Sequence, residues 1–380
     1  MFIVRLLLLK SLIAFILVNA NVVGLEWTQY HNLDEIYEWL SELERKFSPL
    51  VTVYTIGYSY ENRPIKAIKI SSRPGNQAIF MESNIHAIEW ISSAASTCFV
   101  NKLLHSDDKT LQDLLLRYDW FLVPVMNPDG FTYTHEINRW WRKNRKPTGF
   151  SNETGPCYGT DLNRNFNYEW KRSGFPLNDP CDHWYHGSGP DTEPEVLALQ
   201  NFINQFEDDY IRLYLAMHAY GNFVLLPYGH TSEVFPPNYD QMMRIAQGFA
   251  DAAAIRYNTT FQCGASGLLN YSGYVSGDAK DWIYGVKNVP FAATIELRDN
   301  GRYGFLLPAD QIAEVCTELT DGMLEKNENK LILAATRKGV KPNSRDNPKC
   351  QYRTEYQPRW RSQVFILRYS NEKLIEASKA

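Results

Sequence analysis

Short apolar runs rich in β-branched and aromatic residues alternate along this chain with stretches in which apolar residues recur at helical spacing. The predicted strands are 51–56, 65–70, 78–81, 120–125, 213–217 and 291–295. The predicted helices are 36–47, 92–104, 109–117, 193–206, 238–256 and 308–325. This alternation predicts an α/β fold, in which a single domain is built on a mixed, twisted β-sheet sandwiched by helices. The intervening stretches 127–190 and 258–282 are predicted to be irregular and functional.

The N-terminal residues have the pattern of a targeting segment. A basic residue precedes an apolar run that extends to Val18, and a small residue follows at Ala20. Lys10 interrupts the run, which is shorter than the ~20 apolar residues that a membrane span requires. We therefore predict a signal peptide at residues 1–20, a secreted, extracellular protein and no stable association with a membrane.

The cysteines and sequons agree with export. The six cysteines form no CxxC pair, so a thiolate zinc site is not expected. Cys157 and Cys181 bracket a loop rich in Gly, Asn, Asp and Pro, and they are the favoured disulfide in an oxidising compartment. N-glycosylation sequons begin at Asn152, Asn258 and Asn270. The net charge of -4 gives no reason to expect nucleic acid as a partner.

Two short segments carry residues that can bind a metal. His86 and Glu89 follow a predicted strand, and an imidazole and a carboxylate at this spacing can reach one Zn²⁺ from a single turn. His218 ends the apolar run 213–217, and strand ends are where open α/β sheets bind ligands. Taken singly, a pair such as His86 and Glu89 is more often a surface histidine beside an acid. A lone residue such as His218 is more often a hydrogen-bonded core histidine.

Further polar residues are suited to peptide chemistry. Arg164 and Asn163, in an irregular stretch, offer a planar guanidinium and an amide to a carboxylate. Arg142 follows the turn sequence Asn-Pro-Asp-Gly at 127–130, where a solvated basic turn is the alternative reading. Glu296 is a lone acid near the end of an apolar strand, and buried acids are rarely left without a partner or a task.

Together these motifs resemble the pancreatic-type zinc metallocarboxypeptidases, the carboxypeptidase A/B family (peptidase family M14). The match runs from about Tyr30 to Leu324. It includes the segments 57–65, 127–130, 163–165, 227–229 and 296–305. The resemblance implies a catalytic domain at 25–326 and a C-terminal extension of unknown order at 327–380. Because the motifs begin shortly after the predicted signal peptide, no inhibitory pro-segment is expected.

The resemblance also implies a role for each matching residue. One Zn²⁺ per chain would be held by His86, Glu89 and His218, and Glu296 would act as general base and then general acid. Arg142 would stabilise the developing oxyanion. The residues implied to bind substrate are Asn163 and Arg164, which would hold its terminal carboxylate, and Tyr220 beside the scissile bond.

The sequence departs from the family at three places. Ile88 stands where the family commonly has an arginine that binds substrate. The capping tyrosine is assigned to Tyr274, with Tyr271 as the weaker candidate. Lys280 falls at the base of the specificity pocket, which suggests a preference for acidic C-terminal residues. The alternative is that Lys280 points to water or is neutralised by a neighbouring aspartate, Asp278 or Asp281.

These observations predict a secreted, monomeric metallocarboxypeptidase that acts on the C-termini of peptides and proteins. The alternative is a secreted binding protein that retains the fold but is catalytically impaired. Loss of Glu296, Arg164 or a zinc ligand would favour that alternative, and all of them are present. A metallo-endopeptidase is disfavoured because the sequence contains no HExxH motif.

Overall fold

The computed structural model describes residues 24–171, 178–269 and 273–324. The predicted signal peptide, the predicted extension and the sequon residue Asn270 lie outside these ranges. Within them, no helix combines the length and the apolar character that crossing a membrane would require.

The described residues form helices and strands in alternation. The helices are α1 (Leu33–Phe47), α2 (Trp90–His105), α3 (Lys109–Arg117), α4 (Pro128–Glu136), α5 (Pro194–Ile203), α6 (Tyr239–Tyr257), α7 (Ser266–Leu269), α8 (Ala279–Gly285) and α9 (Ile312–Leu324). The strands are β1 (Val51–Tyr58), β2 (Pro64–Ile70), β3 (Gln77–Ser83), β4 (Tyr118–Val123), β5 (Pro147–Asn152), β6 (Gly155–Tyr158), β7 (Ile211–Ala219), β8 (Phe223–Leu226), β9 (Gln262–Ala265) and β10 (Phe291–Leu297).

Eight of the described strands form one sheet in the order β1-β2-β4-β3-β7-β10-β8-β9. The four central strands, β4, β3, β7 and β10, run parallel to one another. β1, β2 and β8 pair antiparallel to their inner neighbours, which makes the sheet mixed. The predicted α/β sandwich on a mixed sheet is therefore confirmed. Its parallel centre brings the carboxyl ends of β3, β7 and β10 to one edge.

The two faces of the sheet pack into separate cores because side chains alternate along a strand. On β7, Leu213, Leu215 and Met217 belong to the larger core, with residues of α1, α2, α3, α6 and α9. Tyr214 and Ala216 belong to the opposite core, with residues of α5 and α8. The same alternation directs the next even-numbered position, 218, towards the α5 and α8 face.

Helix α1 shows how local sequence and packing agree. Asn32 caps the helix through its side chain, which accepts a hydrogen bond from the Glu35 backbone amide, and the Glu35 carboxylate accepts one from the Asn32 backbone amide. A cap of this kind contributes about 1 kcal/mol. The apolar stripe used to predict this helix is buried, at Ile36, Trp39, Leu40, Leu43 and Phe47.

The predicted irregular stretches contain regular structure that composition did not indicate. Helix α4 begins at Pro128, because the Asn127 side chain accepts from the Gly130 amide and the proline occupies the first turn. The sequence prediction of a plain turn there was therefore wrong. A β5–β6 hairpin lies in the same stretch, β9 and α7 lie within 258–282, and α8 begins there.

Two disulfides join the described cysteines. Cys157 pairs with Cys181, as the composition of the bracketed loop predicts. Cys98 pairs with Cys316 and joins α2 to α9, with their Cα atoms 5.9 Å apart. Cys263 forms no disulfide with another described cysteine, and burial raises the pKa of its thiol to about 12.

Candidate active site

The carboxyl edge of the central strands carries the candidate catalytic residues. His218 and Glu296 are direct partners in the parallel β7–β10 ladder, so the two side chains project from the same face of the sheet. His86 and Glu89 follow the end of β3, the other parallel neighbour of β7. Residues from three segments that are widely separated in sequence therefore lie near one another because their strands end at the same edge.

A short turn after β3 fixes His86 and Glu89. Asn84 lies in the left-handed backbone region, at φ 50°, and its side-chain amide donates to the carbonyls of His86 (3.3 Å) and Glu89 (3.0 Å). The Ser92 hydroxyl accepts from the Asn84 amide at 3.1 Å, which ties the turn to α2. Asn84 was not identified from the sequence, although it lies only two residues before His86.

His86, Glu89 and His218 converge on one point. One ligand atom from each lies within 4.8 Å of the other two, and each residue is at most 3% exposed. The two Nδ1 atoms are 3.1 Å apart, and the Glu89 carboxylate lies 2.8 Å from His86 Nδ1 and 2.9 Å from His218 Nδ1. Facing imidazole lone pairs and a carboxylate are satisfied by a cation, so this donor set fits zinc with an open position.

Asp161 orients the first histidine from the side away from the other donors. Its Oδ1 lies 3.1 Å from His86 Nε2, which leaves His86 Nδ1 directed at Glu89 and His218. Such a carboxylate–histidine contact fixes the tautomer and ring orientation of a metal ligand. Burial works to raise the pKa of Asp161, but Arg142 and His86 hold it well below its usual range.

Arg142 lies against this cluster and keeps part of its surface open. Its Nε donates to Asp161 Oδ2 at 3.0 Å, and its Nη1 lies 3.5 Å from Glu89 Oε1. The side chain is 14% exposed. The guanidinium therefore has an anchored side and an exposed side.

The Asn-Pro-Asp-Gly segment is what holds Arg142 in place. The Asn127 amide donates to the carbonyls of Ile85 (3.3 Å) and Lys143 (3.1 Å), which joins the metal-ligand turn to the Arg142 segment. A Cβ at Gly130 would lie 2.5 Å from the Lys143 carbonyl oxygen. Only glycine permits this approach, so the motif serves to position Arg142 rather than to form a solvated turn.

Glu296 lies within the electrostatic field of the same cluster. Burial and the Glu89 carboxylate raise its pKa well above the usual range, whereas Arg142 and Arg164 oppose this rise. A cation bound by the neighbouring donors would add to the opposing effect.

The candidate carboxylate-binding residues lie on the short helical turn Leu162–Arg164, which follows Asp161. Asn163 Oδ1 accepts from the Ala279 backbone amide at 2.9 Å, which commits the side-chain oxygen. Arg164 Nη1 donates to the Asn163 carbonyl at 2.8 Å. Tyr220 is 39% exposed and packs edge-on against Phe305, with ring centroids 4.9 Å apart.

Lys280 does not present a free ammonium. It is 2% exposed, and its Nζ pairs with Asp278 Oδ2 and, at 3.1 Å, with Asp281 Oδ1. Of the two possibilities left open by the sequence, the structure shows neutralisation by the neighbouring aspartates. Asp278 was named in the sequence only as a possible neutralising group.

The remaining predicted residues differ in their exposure. Tyr274 is 40% exposed, and its hydroxyl lies 2.7 Å from Ser232 Oγ, whereas Tyr271 lies outside the described residues. Ile88 is buried, and its carbonyl accepts from Arg139 at 2.7 Å. The sequon residues Asn152 and Asn258 are exposed.

Comparison with known proteins identifies the family. The family model described as zinc carboxypeptidase matches residues 36–322. The chain belongs to the zinc carboxypeptidase family. It is 40% identical to carboxypeptidase O of Homo sapiens over 300 residues, which cover 78% of this chain and 77% of that protein. It is 39% identical to the zinc carboxypeptidase of Simulium vittatum over 297 residues, covering 78% and 95%.

Solved structures of the family agree with this assignment. Bovine thrombin-activatable fibrinolysis inhibitor, in complex with tick carboxypeptidase inhibitor, is 33% identical with a TM-score of 0.70, covering 79% of this chain and 96% of that one. Carboxypeptidase A from Helicoverpa armigera is 28% identical with a TM-score of 0.73, covering 87% and 80%. The enzyme class is therefore metallocarboxypeptidase, and its cofactor is zinc, for which His86, Glu89 and His218 form a suitable donor set.

Proposed function

We propose that this protein is a secreted zinc carboxypeptidase that hydrolyses the C-terminal peptide bond of peptides and proteins. The observation that carries the proposal is the convergence of three buried metal donors, Glu296 and Arg142 at one edge of the sheet. The proposed catalytic domain is 25–326. The proposed cofactor ligands are His86, Glu89 and His218.

Glu296 is proposed as the proton carrier of the reaction. Zinc held by the three donors would polarise the scissile carbonyl and lower the pKa of the attacking water. Glu296 accepts the proton of the attacking water and delivers it to the amine that leaves. Burial of its carboxyl group favours the protonated form, which is the form that the second step uses.

Arg142 is proposed to stabilise the charge that develops on the carbonyl oxygen. Its Nε is occupied by Asp161, so the guanidinium is already oriented before substrate arrives. Preorganised donors of this kind lower the barrier because they require no rearrangement during the reaction.

Asn163 and Arg164 are proposed to hold the terminal carboxylate of the substrate. A planar guanidinium beside an amide donor matches a carboxylate with two parallel hydrogen bonds. An internal peptide bond offers no carboxylate at this place, so the pair makes the enzyme an exopeptidase. Tyr220 is assigned to the adjacent residue of the substrate, and Tyr274 is assigned to cover the site.

Residue preference depends on Lys280. The preference for acidic C-terminal residues that its position suggests requires an ammonium free to pair with substrate. The ion pairs with Asp278 and Asp281 favour uncharged side chains instead. Release of Glu relative to other residues distinguishes the two possibilities.

Export of the protein and its monomeric state are also proposed. The targeting pattern at 1–20, a disulfide between Cys157 and Cys181 and exposed sequons at Asn152 and Asn258 support an extracellular glycoprotein. We propose a monomer, with the segment 327–380 as an extension to the catalytic domain.

The test is residue release from matched peptides that end in Glu, Phe or Lys, using zinc-loaded protein with and without a chelator. We expect chelator-sensitive release of single C-terminal residues, with Phe released faster than Glu. Re-addition of zinc should restore the activity. Absence of release by protein with confirmed zinc content would instead favour a binding protein that retains the fold.

A further inference from the structure

Lys280 belongs to a closed cluster of three buried charges at the start of α8. Lys280, Asp278 and Asp281 are 2%, 4% and 1% exposed. Asp278 is also the N-cap of α8, since its Oδ1 accepts from the Asp281 amide at 2.9 Å. The three residues are called the α8 charge cluster below. Its lysine cannot turn outward without leaving two buried carboxylates without their cation.

The loop after β8 completes the α8 charge cluster. The Gly229 amide donates to Asp281 Oδ2 at 2.8 Å, and His230 Nδ1 lies 3.4 Å from the same oxygen. A Cβ at Gly229 would lie 3.0 Å from Asp278 Oδ2 and 3.3 Å from Lys280 Nζ. The glycine therefore allows the backbone to cover the ammonium closely.

The cluster lies beside the residues that are proposed to hold the substrate. The Ala279 amide donates to Asn163, and the Gly277 carbonyl accepts from the Phe166 amide at 3.0 Å. Asp278 interacts electrostatically with Arg164, and Lys280 with Glu296. A terminal side chain whose carboxylate is bound at Asn163 and Arg164 therefore enters the field of this cluster.

The α8 charge cluster carries no net positive charge. Burial tends to raise the pKa of Asp281, but Lys280 and hydrogen bonds keep this pKa below its usual value. Burial and Asp281 raise the pKa of Asp278, while the two aspartates overcome burial and raise the pKa of Lys280. One ammonium faces one or two carboxylates, so the sum is zero or negative. An approaching substrate carboxylate meets no net attraction, and Asp278 repels it.

We propose that Asp278 is a specificity-determining residue: by neutralising Lys280 it makes the pocket select uncharged C-terminal side chains over Glu and Asp. This inference rests on the proposed carboxypeptidase function and names the substrate class of that site. A lysine without carboxylate partners would select acids, and the pairs of Lys280 with Asp281 and Asp278 together remove that selection. Asp278 acts through Lys280 and through its own charge, without a part in bond cleavage.

The test compares two peptides that differ only in a terminal Gln or Glu, because these side chains match in shape and differ in charge. The protein is zinc-loaded wild type or the variant Asp278→Asn, whose side chain can still cap α8. We expect wild type to release Gln faster than Glu. We expect Asp278→Asn to raise the Glu/Gln ratio of kcat/KM by about tenfold or more, since juxtaposed like charges in a buried site cost several kcal/mol.

A structural defect lowers the release of both peptides together, so a change in the Glu/Gln ratio reports the loss of the Asp278 charge. Asp278→Gly removes the volume as well as the charge and should shift the ratio in the same direction. Asp209→Asn is the matched control: it removes one carboxylate near the opposite end of β7 from His218, where Asp209 pairs with Arg212. The control should leave the Glu/Gln ratio unchanged.

Faster release of Glu than of Gln by wild type would overturn the proposal. A rise of less than about threefold in the Glu/Gln ratio of kcat/KM for folded Asp278→Asn protein would also overturn it. The wild-type ratio decides even if both Asp278 variants unfold. If zinc-loaded wild type releases neither residue, the proposed function fails. Calorimetric binding of the same two peptides then tests the pocket separately, with the same Glu/Gln ratio as the readout.

Discussion

The metal donors and the α8 charge cluster are both buried and both built from charged or titratable groups, but only one contains its own cation. His86, Glu89 and His218 direct lone pairs at a common point, where a cation from solution completes the group. In the α8 charge cluster, Lys280 supplies the cation within the chain. The three metal donors, called the open cluster below, are therefore suited to bind zinc. The α8 charge cluster is closed, and we propose that it modifies which substrate side chains bind.

The largest expected effect is at Glu296, beside the open cluster. Glu296→Gln removes the proton carrier without changing the volume of the side chain. We expect kcat/KM for peptide release to fall by about 10²–10⁴-fold, because general acid–base catalysis contributes that range. Zinc content, measured by elemental analysis, should remain at one per chain. The exposed acid Glu207 provides the matched control, since Glu207→Gln should retain wild-type activity. An active Glu296→Gln variant would remove Glu296 from the mechanism.

The next effect is at the closed cluster and concerns stability. Lys280→Met keeps similar volume and leaves Asp278 and Asp281 buried without their cation. We expect the free energy of unfolding to fall by about 3–5 kcal/mol, as when one partner of a buried ion pair is removed. Denaturant unfolding of the zinc-loaded protein measures it.

The exposed Lys109 provides the control for that change, because Lys109→Met should alter stability by less than about 0.5 kcal/mol. Zinc affinity should be similar in both variants. A Lys280→Met protein as stable as wild type would contradict the description of this cluster as closed and mutually dependent.

The smallest effect tests how the open cluster is oriented. Asp161→Asn replaces the carboxylate that contacts His86 Nε2 and Arg142. We expect zinc affinity to fall by about 10–100-fold, the usual consequence of losing such a contact. Competition with a chromophoric chelator measures this affinity. Asp119→Asn is the control, because that buried carboxylate contacts Ser71 and Tyr210 instead. Equal affinities in the two variants would show that Asp161 does not orient the ligand.

The sequence predicted the open cluster better than the closed one for a physical reason. His86 and Glu89 are neighbours along one turn, and His218 and Glu296 end apolar runs that must lie in the sheet. The state of Lys280 depends on the cap that starts α8 and on the close approach of Gly229, which is distant in sequence. Spacing along the chain carries no record of that approach.

The same distinction applies to the fold. The α1 stripe was predictable because helical periodicity within one segment reports its buried face. Helix α4 was missed because its first turn consists of residues that also form turns, and tertiary contacts of Asn127 decide between the two. The Cys98–Cys316 disulfide was not predicted, since the two residues lie 218 positions apart and meet only when α2 packs against α9.

The most direct test of the central claim compares one peptide with a free C-terminal carboxylate and the same peptide with an amidated C-terminus, both with zinc-loaded protein. If the open cluster carries out hydrolysis and Asn163 and Arg164 hold the terminal carboxylate, only the free acid loses its last residue, and a chelator stops the release. Equal cleavage of both peptides, or internal cleavage of either, would contradict the account.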